Sequence, residues 1–249
     1  MHFSAASHHP CFRQHKRQLN HKLSGFLCSL GSQRRAAKEL HLSRTTVARK
    51  LVFLGQQALL ELADMNQRLP QVNTMEFDDL ETFEHTKCKP LSVTMAVEFK
   101  TRRILDFEVS SMPAKGLLVR KALKKYGPRK DERAFRRKAL FARLRPMIHP
   151  QALIKSDESP HYPVDVRAYF PLAVHERHPG RRSSSTGQGE LKKGGFDPLF
   201  CLNHTYGMLR ANINRLIRKT WCTTKLQEKL RLHLAMYAVY HNKKLLDLS

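Results

Sequence analysis

The stretch Thr74–Val109 reads TMEFDDLETFEHTKCKPLSVTMAVEFKTRRILDFEV, and its period decides the fold. Before it, apolar residues recur at helical spacing; within it, they alternate every second residue. The alternation falls into three runs, Thr74–Phe83, Leu91–Phe99 and Arg103–Val109, with turns at Lys87–Pro90 and Lys100–Arg102. A two-residue period lines one face of a strand, so the three runs predict an antiparallel meander.

Downstream, Lys115–Arg145 is a long helical stretch that should break near Gly127-Pro128. From Val119 to Arg145 twelve Lys or Arg stand against two acids. Ala152–Lys155 reads as a short buried strand ending at Ser156-Asp157, and Leu172–His175 as another. Arg181–Gly195, RRSSSTGQGELKKGG, is a flexible loop by composition. Two helices follow: a basic one over Pro198–Thr220, and an amphipathic one over Thr223–Asn242 through Leu226, Leu230, Leu234, Tyr237 and Tyr240. Trp221, the single Trp, is expected as a core anchor rather than a base-stacking platform. Three antiparallel strands, a helix, a strand ending in an acid and a late helix is an order similar to that of the RNase H-like fold. That likeness implies an α+β or α/β class with the fourth strand beside the first.

Upstream, Leu23, Phe26, Leu27 and Leu30 form one apolar helical face, Gly31 ends that helix and Ser32 can cap the next. Gln33–Leu51, QRRAAKELHLSRTTVARKL, has the form of a helix-turn-helix. Ala37 is small enough for close helix approach. His41 takes the turn position where Gly is usual, and Ser43 caps a second helix with Val47 and Leu51 inward. Arg44, Thr45, Thr46, Arg49 and Lys50 are then the DNA-facing set. The bland alternative is an ordinary helical hairpin in a basic protein. Leu54–Pro70 reads as a separate linker helix. Three parts result: residues 1–22, basic, aperiodic and expected to be disordered; 23–70, the helix-turn-helix and linker; and 71–249, the sheet-bearing domain. His8, His9, Cys11, His15 and His21 match no standard zinc spacing and are read as solvated.

The chain's 45 Lys and Arg against 21 Asp and Glu give a formal charge of +24. Such a balance favours a polyanionic partner, although a basic housekeeping protein would share it. No apolar run approaches the ~20 residues of a membrane span. The five cysteines are scattered without a CxxC pair, which fits a reducing compartment.

Asp78, on the first strand, and Asp157, at the end of the fourth, are the residues for metal-assisted phosphodiester chemistry. Mg²⁺ takes carboxylate oxygens and keeps several waters, so two or three acids suffice. Asp79, next to Asp78 on a strand, should point to the other face.

Four blocks together resemble transposases of the insertion sequence 1 family: SQRRAAKELHLSRTTVARKLVFL, FDDLETFEHTK, IKSDESPHY and LNHTYGMLRANINRLIRKTWCTTK, spanning roughly residues 32 to 242. The resemblance implies an RNase H-like catalytic domain with an Asp-Asp-Glu triad, divalent Mg²⁺ or Mn²⁺, and DNA strand cleavage and transfer. It also implies binding to terminal inverted repeats and target DNA, assembly as a homo-oligomer on DNA, and a bacterial, nucleoid-associated cytoplasmic location. Asp78 and Asp157 would bind the metal, with Arg210, Arg215, Arg218 and Lys219 gripping the backbone. The family's Glu falls in register on Asn203, which carries no charge; Asp197, Glu190 or His204 are the alternatives. The family's zinc segment is absent or degenerate, leaving Cys11 and Cys28 without partners, as a truncated start would explain. Glu81 stands where the family commonly has Trp. The rival reading is a non-catalytic DNA-binding protein, either a repressor or a decayed transposase.

Overall fold

The computed structural model describes residues 9–179, 197–217 and 221–246. The meander forms as its period requires: β1 (Val72–Phe83), β2 (Pro90–Glu98) and β3 (Ile104–Ser111), antiparallel and in sequence. Two parallel strands follow, β4 (Ile148–Asp157) and β5 (Val174–His178), giving one mixed five-stranded sheet in the order β3-β2-β1-β4-β5. The fourth strand therefore lies beside the first, and it is longer than its apolar run Ala152–Lys155 suggests.

Eight α-helices, among the described residues, cover the two faces: α1 (Asn20–Leu27), α2 (Gln33–Glu39), α3 (Arg44–Arg68), α4 (Leu118–Tyr126), α5 (Arg133–Leu144), α6 (Tyr162–Tyr169), α7 (Phe200–Asn212) and α8 (Gln227–Leu246). One core joins Phe77 and Ile154 of the sheet to Phe141 and Leu144 of α5 and Tyr162 of α6. The other joins Val93, Met95 and Phe107 to α1–α3, α7 and α8. The sheet is thus a middle layer, buried on both faces. Gly127, at φ 74°, ends α4 where the Gly-Pro step predicts a break.

Both helix caps form as read. Ser32 Oγ accepts from the Arg35 amide at 3.1 Å, and Ser43 Oγ from the Thr46 amide at 3.0 Å. His41 takes the left-handed turn at φ 48°. The expected linker helix is different: α3 runs unbroken for 25 residues, from Arg44 to Arg68. No Pro interrupts it, and Gly55 stays helical because α8 crosses there. A Cβ on Gly55 would lie 2.5 Å from Leu232 Cβ and 2.8 Å from the Leu232 carbonyl oxygen. At its far end Asn66 donates to the carbonyl of Leu105 at 2.7 Å, tying α3 to β3.

Four further expectations change. Residues 9–22, expected to be disordered, carry a 3₁₀ turn (Arg17–Leu19) and the first residues of α1. The basic helix ends at Asn212; Ile213 is extended and buried, and a 3₁₀ turn (Asn214–Leu216) follows. Helix α8 is buried nearly all round from Leu230 to Val239, while Leu226 stays outside it and exposed. Trp221 is 75% exposed and anchors no core. The loop expected over Arg181–Gly195 lies outside the described residues.

The α3–α8 contact at Gly55 yields a stability test. Gly55→Ala should cost about 1–3 kcal/mol through overpacking. Gly25→Ala, in α1 with nothing within 4 Å of its Cβ, should be neutral or mildly stabilising. Thermal denaturation followed by circular dichroism separates the two, and an unchanged Tm for Gly55→Ala would contradict the close crossing.

Candidate active site

The parallel ladder pairs Met75 with Ile154 and Glu76 with Lys155. Continued by two residues, that register sets Asp78 opposite Asp157, the last residue of β4, on strands about 4.8 Å apart. Asp78 Oδ1 accepts hydrogen bonds from the Tyr162 hydroxyl at 3.2 Å and from the Asp79 amide at 2.7 Å. The main-chain oxygen of Asp78 accepts from the Tyr206 hydroxyl on α7. Asp157 Oδ1 accepts from the Ser159 amide at 2.9 Å, a turn that fixes the chain as it leaves β4. Asp79 points to the other face, as alternation demands, and accepts from Thr94 of β2. Its charge still reaches both neighbours.

Tyr162 is held firmly. Its ring packs on Phe77 at 4.8 Å, and Arg137 lies over it at 5.0 Å. Arg137 is itself locked by a buried ion pair with Asp165, at 2.5 Å. The hydroxyl that meets Asp78 is therefore aimed by a rigid stack.

Electrostatically the site is strained toward protonation. Burial first, then the charges of Asp157 and Asp79, push the Asp78 carboxyl up to about 7, against the opposing Asp79 amide and Tyr162 hydrogen bonds. Burial also raises Asp157, helped by Asp79 and Glu158 and opposed by the Ser159 amide. Burial and the same carboxylates hold the phenol of Tyr162 well above its ordinary range. Several other buried acids have basic partners: Asp106 and Glu108 with Arg143, Asp165 with Arg137, Glu84 with Arg129. Among the described residues no Lys or Arg bonds to Asp78 or Asp157. Two acids without a cationic partner among the described residues are a donor set of hard oxygens, suited to a divalent ion that retains waters. Among the described residues no group of three or more His, Cys, Asp or Glu is arranged to hold a metal. The fit thus rests on the Asp78–Asp157 pair.

The proposed third ligand is not brought there. Asn203 is exposed on α7, and its amide donates to Asp197 at 2.9 Å. Asp197 accepts from the Leu199 amide at the start of α7 and acts on Glu76, two residues before Asp78. Glu76 is fully buried and accepts from the Leu202 amide at 2.9 Å, so it fastens α7 to β1. His204 faces Arg102 at 3.2 Å. Glu190 lies outside the described residues. From α7 it is Tyr206, not Asn203, that reaches Asp78. Tyr206 lies within the fourth sequence block and Tyr162 ends the third, IKSDESPHY, but nothing local marked the role of Tyr206.

The DNA-facing set also divides. Arg44, Thr45 and Arg49 are exposed on the first turns of α3, and Thr46 is half-buried with its hydroxyl on Ser43. Lys50 requires correction. It is 3% exposed, and its Nζ donates to Asn20 at 2.7 Å, the Lys16 carbonyl at 3.2 Å and Gln14 at 3.3 Å. It therefore clamps the N-terminal segment and presents no charge to solvent. Arg210 is exposed on α7. Arg215 donates to Thr224 at 3.3 Å, and burial lowers its guanidinium to about 10, which removes it from a free basic face. Arg218 and Lys219 lie outside the described residues.

The raised Asp78 carboxyl has a signed consequence. Between about 4 and 7 the folded chain keeps a proton that the unfolded chain has lost, so stability falls as pH rises through that window. Asp78→Asn removes this term while keeping an acceptor for Tyr162. In metal-free buffer the Tm of Asp78→Asn minus that of the parent should grow from pH 5 to pH 8. A difference independent of pH would refute the buried like-charge pair.

No family model matches the chain, and no curated protein matches it. Among solved structures it is similar, at 13% identity and a TM-score of 0.31, to a chain of the cryo-EM structure of a simian T-cell lymphotropic virus intasome in complex with PP2A regulatory subunit B56 gamma. The likeness covers 88% of this chain and 65% of that one, so this chain spans under two thirds of the other's length.

Proposed function

We propose that this protein is a DNA strand transferase of the insertion sequence 1 transposase type, with an RNase H-like catalytic domain and a helix-turn-helix formed by α2 and the start of α3. The observation that carries the reading is the pair Asp78 and Asp157, opposed on adjacent strands and without a basic partner among the described residues. These two residues would hold Mg²⁺ or Mn²⁺, which when bound activates the attacking water or 3′-hydroxyl and stabilises the leaving oxygen. Tyr162 orients Asp78 through its hydroxyl, and Tyr206 fixes the backbone that carries it. Arg44, Thr45 and Arg49 would meet the terminal inverted repeats, with Arg210 on the flanking backbone. Target DNA, assembly as a homo-oligomer on DNA and a nucleoid-associated cytoplasmic location belong to the same proposal; no helix among the described residues is long and apolar enough to cross a membrane.

A second reading, a DNA-binding protein that no longer cuts, is favoured by one observation: Asn203 is turned to Asp197 and supplies no third acid.

A nicking assay on duplex DNA carrying the element ends, with Mg²⁺ or Mn²⁺, decides between them. The parent should cut, and Asp78→Asn and Asp157→Asn should each lose at least about a hundredfold in rate while still binding DNA. Specific binding by a parent that never cuts would establish the second reading instead. For binding, Arg44→Ala with Arg49→Ala should weaken affinity for the ends by about 1–3 kcal/mol for each base edge that these side chains read, and affinity for random DNA by less. Equal losses on both DNAs, measured by fluorescence anisotropy, would show that these arginines touch only phosphates.

A further inference from the structure

Between α6 and β5 lies a cavity of about 310 Å³ that the site described above does not use. Arg167 of α6 and Arg177 of β5 line it, with His175 at its side and Val166 and Phe170 forming an apolar wall. No acid lines it. Among the described residues neither arginine has a hydrogen bond or ion pair to an acid, whereas Arg103, Arg129, Arg133, Arg137 and Arg143 all do.

Its position is set by the sheet. The β4–β5 ladder pairs Ile154 with His175, Ser156 with Arg177 and Asp157 with His178. Alternation puts His175 and Arg177 on one face, the face covered by α6. His175 is fixed there: its Nε2 is 2.9 Å from Ser156 Oγ, and its ring stacks on Phe77 at 6.3 Å. Burial, then the charge of Arg177, lowers its imidazole. Two arginines lining one small cavity offer the planar forks from which a phosphate accepts.

We infer that Arg167 and Arg177 form a phosphate-binding pocket, one strand over from Asp157, for a phosphate group of a nucleic-acid strand. This rests on the strand-transfer reading for the identity of the strand, but the pocket's existence does not require that the carboxylates cut.

Phenylglyoxal labelling of the full chain, read arginine by arginine by mass spectrometry, tests it in metal-free buffer with inorganic phosphate or a 5′-phosphorylated dinucleotide as the probe. Both probes should slow labelling of Arg167 and Arg177 several-fold and leave Arg120 on α4 unchanged, and the dinucleotide should act at a concentration roughly tenfold lower. Arg177→Gln should abolish the protection of Arg167. Asp157→Asn should retain it, so a chain that protects but does not cut keeps the pocket and loses only the strand-transfer reading. Unprotected Arg167 and Arg177, or protection shared equally by Arg120, would overturn the pocket. Equal potency of the two probes would overturn the assignment to a nucleic-acid strand.

Discussion

The pairing of β1 with β4 is the constraint on which the site depends. Parallel strands cannot be joined by a hairpin, so a long crossover, here carrying α4 and α5, returns the chain to the edge of β1. Its register is fixed by apolar burial. Ile154 of β4 and Met75 and Phe77 of β1 are fully buried, with Phe77 against Phe141 at 5.0 Å. A slip of one residue would turn β4's apolar set to the wrong face. Each large buried side chain is worth roughly 1.5–3 kcal/mol. Together they outweigh the cost, on the order of a few kcal/mol, of a carboxyl displaced from its ordinary pKa. The apolar register thus compels Asp78 to face Asp157; the repulsion is tolerated, not relieved.

Charge is distributed with the same asymmetry. The excess of Lys and Arg leaves ample partners for the acids, and most buried acids have one within the fold. Such pairs add little net stability, but removing one partner leaves a buried charge and is costly. Among the described residues Glu76, Asp78 and Asp157 have no such partner, and two of the three, Asp78 and Asp157, stand at opposed register on β1 and β4.

Much of this was legible in the residues. The meander follows from a two-residue period, the caps from Ser32 and Ser43, and the break before α5 from Gly127-Pro128. What was hidden depends on chain segments far apart. Lys50 looks like an exposed helix cation until Gln14, Lys16 and Asn20 are seen around its ammonium group. Gly55 carries no mark of a helix crossing until Leu232 is seen to need the space. Tyr206 is 128 residues from Asp78 in sequence, and only the crossing of α7 over the sheet joins them. The Asn203 register came from the family resemblance, which does not show that Asp197, at the start of that helix, holds the amide, or that Leu202 and Tyr206 are the α7 residues bonded to β1.

The unbroken α3 has a mechanical meaning. At 1.5 Å per residue its 25 residues form a rod of about 37 Å. One end carries Arg44 and Arg49; the other is bolted to β3 through Asn66 and braced along its length by α8. A flexible tether would let the two ends search independently. A rod makes them a caliper: whatever the outer end grasps is presented to the sheet at a set distance and angle, and a tilt of the sheet is delivered to the outer end undiminished.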